Sequence, residues 1–245
     1  MITSNENDKL KRVRKLQSRK WREREGAFVT EGEDFLEAGR AAGREPIDVL
    51  VPAGSAIAGT EVEPDLLDGV STLGSGTRVI AVWAIPQPDQ AEPLAVYLHG
   101  VSDPGNVGTI VRTSLALAGA RAVLGPGSAD AWSPKAVRAG MGAHFATPPA
   151  RGGLDDVPRP RLALVAHGGD PLDEAIEGLG QVGTLCLGSE RDGLPEDVAA
   201  ACEARATIAL GGPAESLNVA AAAAIGLQRI CSLGAAPTER ATGSG

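Results

Sequence analysis

Aromatic side chains are scarce in this 245-residue chain, at 3% of the total, which excludes a fold that reads single strands by stacking base after base on aromatic rings. Histidine is equally thin. His99, His144 and His167 are scattered, with no metal-ligand spacing between them, so no metal is expected. The three cysteines, Cys186, Cys202 and Cys231, form no C-x-x-C. Their odd number excludes a closed disulfide framework and implies reduced, buried thiols in a cytoplasmic protein. Long apolar runs are missing too: the stretch 219–227 is only about half a membrane span, and residues 1–25 are too polar for a signal peptide, so no membrane partner is expected. Glycine (32) and proline (17) follow no period, which excludes collagen-like chains.

What remains is a globular chain, 43% hydrophobic, long enough for one large or two modest domains. Its net charge of −8 is at first sight the wrong balance for a nucleic-acid protein. Divided by position, the charge reads differently. Residues 1–25 hold nine basic side chains against four acidic ones, a local +5, which leaves −13 for the rest. Within that stretch Leu10, Val13, Leu16 or Gln17, and Trp21 recur at helical spacing, the pattern of an amphipathic helix that docks one face and presents a basic one. A solvated helix with no partner would carry the same pattern. A cationic helix on an acidic chain is also a means of meeting phosphates locally.

Two parts are expected. In the first, strands fall at 27–31, 47–51 and 78–85, with a helix at 32–42. Residues 86–93, with three prolines, read as a linker. Beyond it strands (94–99, 121–124, 162–166, 182–187, 206–210) alternate with helices (104–118, 134–140, 195–202, 217–233), the order of a mostly parallel sheet covered on both faces.

Three segments at the ends of these strands, where open α/β sheets bind ligands, stand out. In the first, Asp103-Pro104 is an N-cap and first-turn signal. The helix that follows sets Gly105, Asn106, Gly108, Thr109, Arg112 and Thr113 on a polar half and Val107, Ile110, Val111, Leu115, Leu117 and Ala118 on the other. The second, Gly188-Ser-Glu190 followed by Gly193, places a carboxylate at a strand's end with a glycine to turn the chain back. The third runs from Ile208 through Ser216, a natural N-cap, into an alanine-rich helix; Asn218 in its first turn spends helix propensity without obvious return.

Together these segments resemble the three motifs of the SpoU/TrmH-type RNA 2′-O-ribose methyltransferases of the SPOUT superfamily. The N-x-G-x-x-x-R-T pattern is met by Asn106, Gly108, Arg112 and Thr113, the G-x-E-x-x-G by Gly188, Glu190 and Gly193, and the S-L-N by Ser216, Leu217 and Asn218. The amino-terminal segment, with Lys15-Leu16, Arg19-Lys20 and Phe28-Val-Thr-Glu-Gly32, resembles the substrate-binding domain that precedes the catalytic domain in many members. The resemblance implies an α/β protein with a trefoil-knotted SPOUT catalytic domain over 94–245 and a smaller amino-terminal α/β domain of the L30e-like kind over 1–88. It also implies S-adenosylmethionine as methyl donor, RNA as substrate and a homodimer with its site near the interface. Gly188, Ile208, Leu210 and Leu217 match positions that hold the cofactor's adenosine part; Asn106, Arg112, Glu190, Ser216 and Asn218 match active-site positions. Departures are Ile208-Ala-Leu210 where an Ile-Pro-Met-like stretch is usual, and Arg191 where glycine is.

The two-domain layout points to ribosomal RNA. A transfer-RNA 2′-O-methyltransferase, or a catalytically idle RNA-binding or ribosome-assembly protein of the same fold, are the alternatives. Methyl transfer to a ribose hydroxyl needs alignment and help in losing a proton. A guanidinium, with a pKa of about 12.5 or above, suits Arg112 to clamping a phosphate and stabilising a developing alkoxide better than to acting as the base.

Overall fold

The computed structural model describes residues 1–73, 76–87, 93–213 and 216–237. Its elements, in order, begin with α1 (Asp8–Leu16), α2 (Arg19–Glu25), β1 (Ala27–Glu31), α3 (Glu33–Ala41), β2 (Asp48–Pro52), β3 (Thr60–Val62), α4 (Pro64–Asp68) and β4 (Ile80–Ala84). Then come β5 (Ala95–Leu98), α5 (Pro104–Ala118), β6 (Arg121–Leu124), α6 (Pro134–Gly140), α7 (Ala143–Ala146), β7 (Ala150–Arg151), β8 (Arg161–Leu164) and β9 (Asp170–Pro171). The last are α8 (Leu172–Leu179), β10 (Thr184–Leu187), α9 (Glu196–Ala200), β11 (Ala204–Thr207) and α10 (Val219–Ser232). They form two compact units: Met1–Gln87 with Asp130–Ala146, and Pro88–Ala129 with Thr147–Gly245. A single domain over 94–245 is therefore not what the contacts give, because α6 and α7 pack with the first unit. Of the expected linker at 86–93, residues 88–92 lie outside the described part.

In the first unit four strands take the order β1-β4-β2-β3, with β1–β4 and β2–β4 antiparallel and β2–β3 parallel. Period-2 alternation divides its side chains between two cores. Ala27, Val29, Ile80 and Val82 meet Leu10, Val13 and Leu16 of α1 on one face. Phe28, Ala81 and Trp83 meet Phe35, Val137 and Phe145 on the other. Gly39 in α3 is there because a Cβ would lie 2.4 Å from the Trp83 ring.

The basic stretch is two helices where one is expected. α1 stops at Leu16, and Ser18, extended at φ −98° and ψ 142°, starts α2. Arg22 holds this joint: its Nη1 donates to the Leu16 carbonyl at 2.7 Å, while Nη2 pairs with Asp130 at 2.7 Å. It is a buried structural side chain, not part of a presented basic face.

The second unit is a seven-stranded parallel sheet, order β7-β6-β5-β10-β8-β11-β9. β5, β6, β8 and β10 are buried along their whole length, as strands covered on both faces must be. α5 and α10 pack together, and α10 lies on β10, where a Cβ on Gly226 would come 2.9 Å from the Leu185 side chain. A strand is expected at 206–210, but the ladder holds Ala204–Thr207, and Ile208 to Leu210 leave it. The short β3, β7 and β9 have no period to read. Leu172, Ala175 and Ile176 of α8 do have helical spacing. Of the three thiols only Cys186 is fully buried.

His144 in α7 is fully buried; its Nε2 sits 2.9 Å from the Ala131 carbonyl and its Nδ1 has no hydrogen-bond partner among the described residues. Burial pushes its pKa down from 6.5 to about 4, against the smaller upward pull of the Ala131 carbonyl. The unfolded chain therefore binds a proton there at a higher pH than the native one does. Stability is complete above pH 6.5 and falls as the pH drops towards 4, by about 3 kcal/mol in all. Thermal melts of the first unit's transition across that window should show this slope, and His144→Phe should flatten it.

Candidate active site

The three segments singled out above converge on the carboxyl edge of the parallel sheet. β10 makes this possible by lying between β5 and β8, both earlier in the chain. The loops after β8, β10 and β11 enclose a cleft of about 500 Å³, within the range of small-molecule sites. Its walls include Gly188 and Glu190 from the second segment and Ile208, Leu210, Ser216 and Leu217 from the third. Leu210 and Leu217 are more than a third exposed, which is costly for apolar side chains unless something covers them.

The loop after β10 is tight. A Cβ on Gly188 would lie 2.0 Å from the carbonyl carbon of Gly193 and 2.1 Å from the nitrogen of Leu194. Gly193 turns the chain back at φ 67°, and its backbone exchanges two hydrogen bonds with Ser189 at 3.0 and 3.1 Å. This places Glu190 at the tip.

The α5 helix starts as expected: the Asp103 carboxylate accepts from the backbone N–H of Gly105 (2.6 Å) and of Asn106 (3.1 Å). The start of α10 differs from expectation. Its N-cap is Asn218, not Ser216. Asn218 is therefore outside the first turn, and its Oδ1 accepts from the N–H of Ala220 at 2.9 Å and of Ala221 at 3.4 Å, which is the favoured use of asparagine. With its oxygen so engaged, its Nδ2 donates to Asn106 Oδ1 at 3.1 Å. Asn106 in turn has only Nδ2 left, which donates to Glu190 Oε1 at 2.8 Å. One helix cap thus sets the orientation of two amides and aims a carboxylate.

Asn106, Glu190 and Asn218 are brought together, and Ser216 shares the cleft with Glu190. Arg112, two turns further along α5, is exposed, does not line the cleft, and makes no hydrogen bond or ion pair among the described residues. On the same helix Gly108 is buried although it falls on the polar half, and Leu117 is 42% exposed although it falls on the apolar half. Three polar members of the cleft wall carry no motif: His167, Glu196 and Arg205. Arg205 grips Glu196 with two bonds, 3.1 and 2.6 Å, and its guanidinium holds the Glu196 carboxyl below its ordinary range. Arg205 lies on β11, one residue before a strand read from 206 begins. Among the described residues no group of His, Cys, Asp and Glu side chains is arranged to hold a metal ion.

The chain is similar to known proteins over most of its length. Residues 93–228 match the SpoU rRNA Methylase family, and residues 7–82 match the MRM3-like substrate binding domain. The chain is 30% identical over 240 residues to the 23S rRNA (guanosine(2553)-2'-O)-methyltransferase RlmP of Bacillus subtilis, covering 91% of this chain and 96% of that protein. The crystal structure of the AdoMet-bound rRNA methyltransferase from Sinorhizobium meliloti superposes with a TM-score of 0.81 at 29% identity, over 95% of this chain and 97% of the other. A TrmH-family RNA methyltransferase structure from Porphyromonas gingivalis gives 0.75 at 32% identity, over 94% and 98%. The fold, the convergence of the three motifs and these matches make the chain a member of the SpoU rRNA methylase family.

Proposed function

We propose that this protein transfers the methyl group of S-adenosylmethionine to a ribose 2′-hydroxyl of ribosomal RNA. The observation that carries the reading is the hydrogen-bonded line Asn218, Asn106, Glu190, ending in the wall of a cleft built from three loops. Ribosomal RNA is favoured over transfer RNA by the RlmP relative and by the match of residues 7–82 to a substrate-binding domain. We take residues 1–88 as that domain and the cytoplasm as its location.

The cleft suits the cofactor. Apolar Ile208, Leu210 and Leu217 offer cover for an adenine ring, Gly188 lets the Gly193 backbone fold tightly against it to shape the cleft wall, and the Glu190 carboxylate complements a positively charged ligand. When bound, S-adenosylmethionine supplies a methyl group on a sulfonium, a good leaving group. Asn106 and Asn218 orient the target ribose and the loops around it, and Glu190 and Ser216 support the site. Arg112 clamps the target phosphate and stabilises the alkoxide as it develops; the proton passes to that phosphate or to a water.

A homodimer with its site near the interface accounts for an Arg112 that has no partner among the described residues of one chain. It also gives cover to Ile225 of α10 and Leu117 of α5, both exposed on helices that pack together. A trefoil knot is consistent with β10 entering between two strands that precede it.

Calorimetry with S-adenosylmethionine tests the cofactor first, and mapping of 2′-O-methylated riboses in ribosomal RNA from cells with and without the protein tests the reaction. No binding at millimolar cofactor removes the proposal. Gly188→Ala should weaken cofactor binding at least tenfold, because its Cβ drives the Gly193 backbone out of place. Asn218→Asp should keep the helix cap and the melting temperature but lower kcat, since an acceptor at 218 turns the Asn106 amide and sets its oxygen against Glu190. Arg112→Lys should retain measurable methyl transfer; complete loss with RNA binding and fold intact would instead assign Arg112 the proton.

A further inference from the structure

The nine basic side chains of residues 1–25 are not equivalent once folded. Five are paired with carboxylates: Lys9 with Asp48 (2.7 Å), Lys11 with Glu6 (2.8 Å), Arg12 with Glu25 (2.9 Å), Arg19 with Glu23 (2.7 Å) and Arg22 with Asp130 (2.7 Å). Arg14 bonds only to neutral oxygens of Asn5. Lys15, Lys20 and Arg24 are exposed and have no carboxylate partner among the described residues. Two of them meet at one ring. Lys15 Nζ lies 4.7 Å and the Arg24 guanidinium carbon 4.8 Å from the centroid of Trp21, a half-buried indole, and Lys20 is its neighbour in α2.

We infer that Lys15, Trp21, Lys20 and Arg24 form a docking patch for a single-stranded loop of the RNA substrate, with the cations on its phosphates and the indole against one base. The inference rests on the RNA-methyltransferase reading above and adds where on the amino-terminal domain the RNA is held. Charge complementarity carries it. A chain of net charge −8 repels polyanions, and a surplus of positive charge is left only where the folded ion pairs do not consume it. Cation–π contacts at an exposed site are weak enough to yield to phosphates. An indole freed in this way offers a face to an unpaired base, which is how proteins hold single-stranded RNA. With aromatics at 3%, successive bases cannot be stacked, but one ring serves for one base. Trp21 therefore has a use beyond the hydrophobic spacing that makes it visible in the sequence.

The test uses the full chain, a labelled oligouridine RNA and phosphatidylglycerol vesicles. Replacing Lys15, Lys20 and Arg24 together by Gln should lower the slope of log affinity against log salt by about two and weaken RNA binding about tenfold or more near physiological salt, as expected for about three lost phosphate contacts. Lys11→Gln, which removes a paired charge, should do much less. Lys20→Gln alone, whose side chain makes no hydrogen bond, ion pair or ring contact among the described residues, should show its share of the effect without any change in folding. RNA should quench tryptophan emission in the native chain and not in Trp21→Phe. Methyl transfer by the triple variant should recover at saturating RNA, so that KM rises while kcat holds. An unchanged salt slope, an equal loss with Lys11→Gln, or binding to vesicles but not to RNA overturns the patch. Absence of methyl transfer in the unaltered chain overturns the enzymatic reading instead, and the binding data then judge the patch alone.

Discussion

Backbone hydrogen bonds from β10 to β5 on one side and to β8 on the other are what the site depends on. Insertion of a late strand between two earlier ones sets the ends of β8, β10 and β11 side by side, so that segments up to 112 residues apart in sequence share one edge, as Asn106 and Asn218 do. Parallel pairing is the reason this edge is uniform: every strand presents its carboxyl end there, and every following loop can contribute to one cleft. Remove that pairing and Glu190, Asn106 and Asn218 are three unrelated polar residues on three distant segments.

The site then refines itself through hydrogen-bond accounting. Asparagine at the start of α10 has an oxygen and an amide group to satisfy, and the helix end has orphan N–H groups. Spending the oxygen on the helix leaves the amide no choice but to donate, and the same constraint passes through Asn106 to Glu190. The close backbone packing at Gly188 does the corresponding work for the loop that bears the carboxylate. One side chain therefore both caps a helix and orients its neighbours, which is why Asn218 looks wasteful if it is placed inside the helix and economical once it caps it.

Electrostatics follow a similar division. Most of the amino-terminal cations are consumed in holding the first unit together, with Arg22 buried at the joint between α1 and α2 and tied to Asp130. The excess that survives is small, local and centred on Trp21. Net charge and even charge per segment describe how many cations there are, whereas the ion pairs describe how many remain for a partner.

Most of the regular elements were legible from the chain alone, because burial on one or both faces writes itself as period 2, as period 3.6 or as a short continuous apolar run: β1, α5, β10 and α10 are of this kind. The motif residues were legible for a different reason, that a glycine, a carboxylate or an asparagine at a strand end has few structural uses. Beside the short strands and the break between α1 and α2, three features of the site and the domains were not. Ile208 and Leu210 line the cleft yet read as more strand; Arg205 joins the cleft wall in company with Glu196; and α6 and α7 belong with the first unit although the chain places them inside the second. Local pattern records whether a side chain is to be buried, but not against what, and the partner is chosen only when distant segments meet. The sequence by itself determined the alternation of elements, the residue types of the site and the family. Tertiary structure decided which residue caps α10, which cations stay free and which loops share a cleft, because each of these turns on partners that are far apart in the chain.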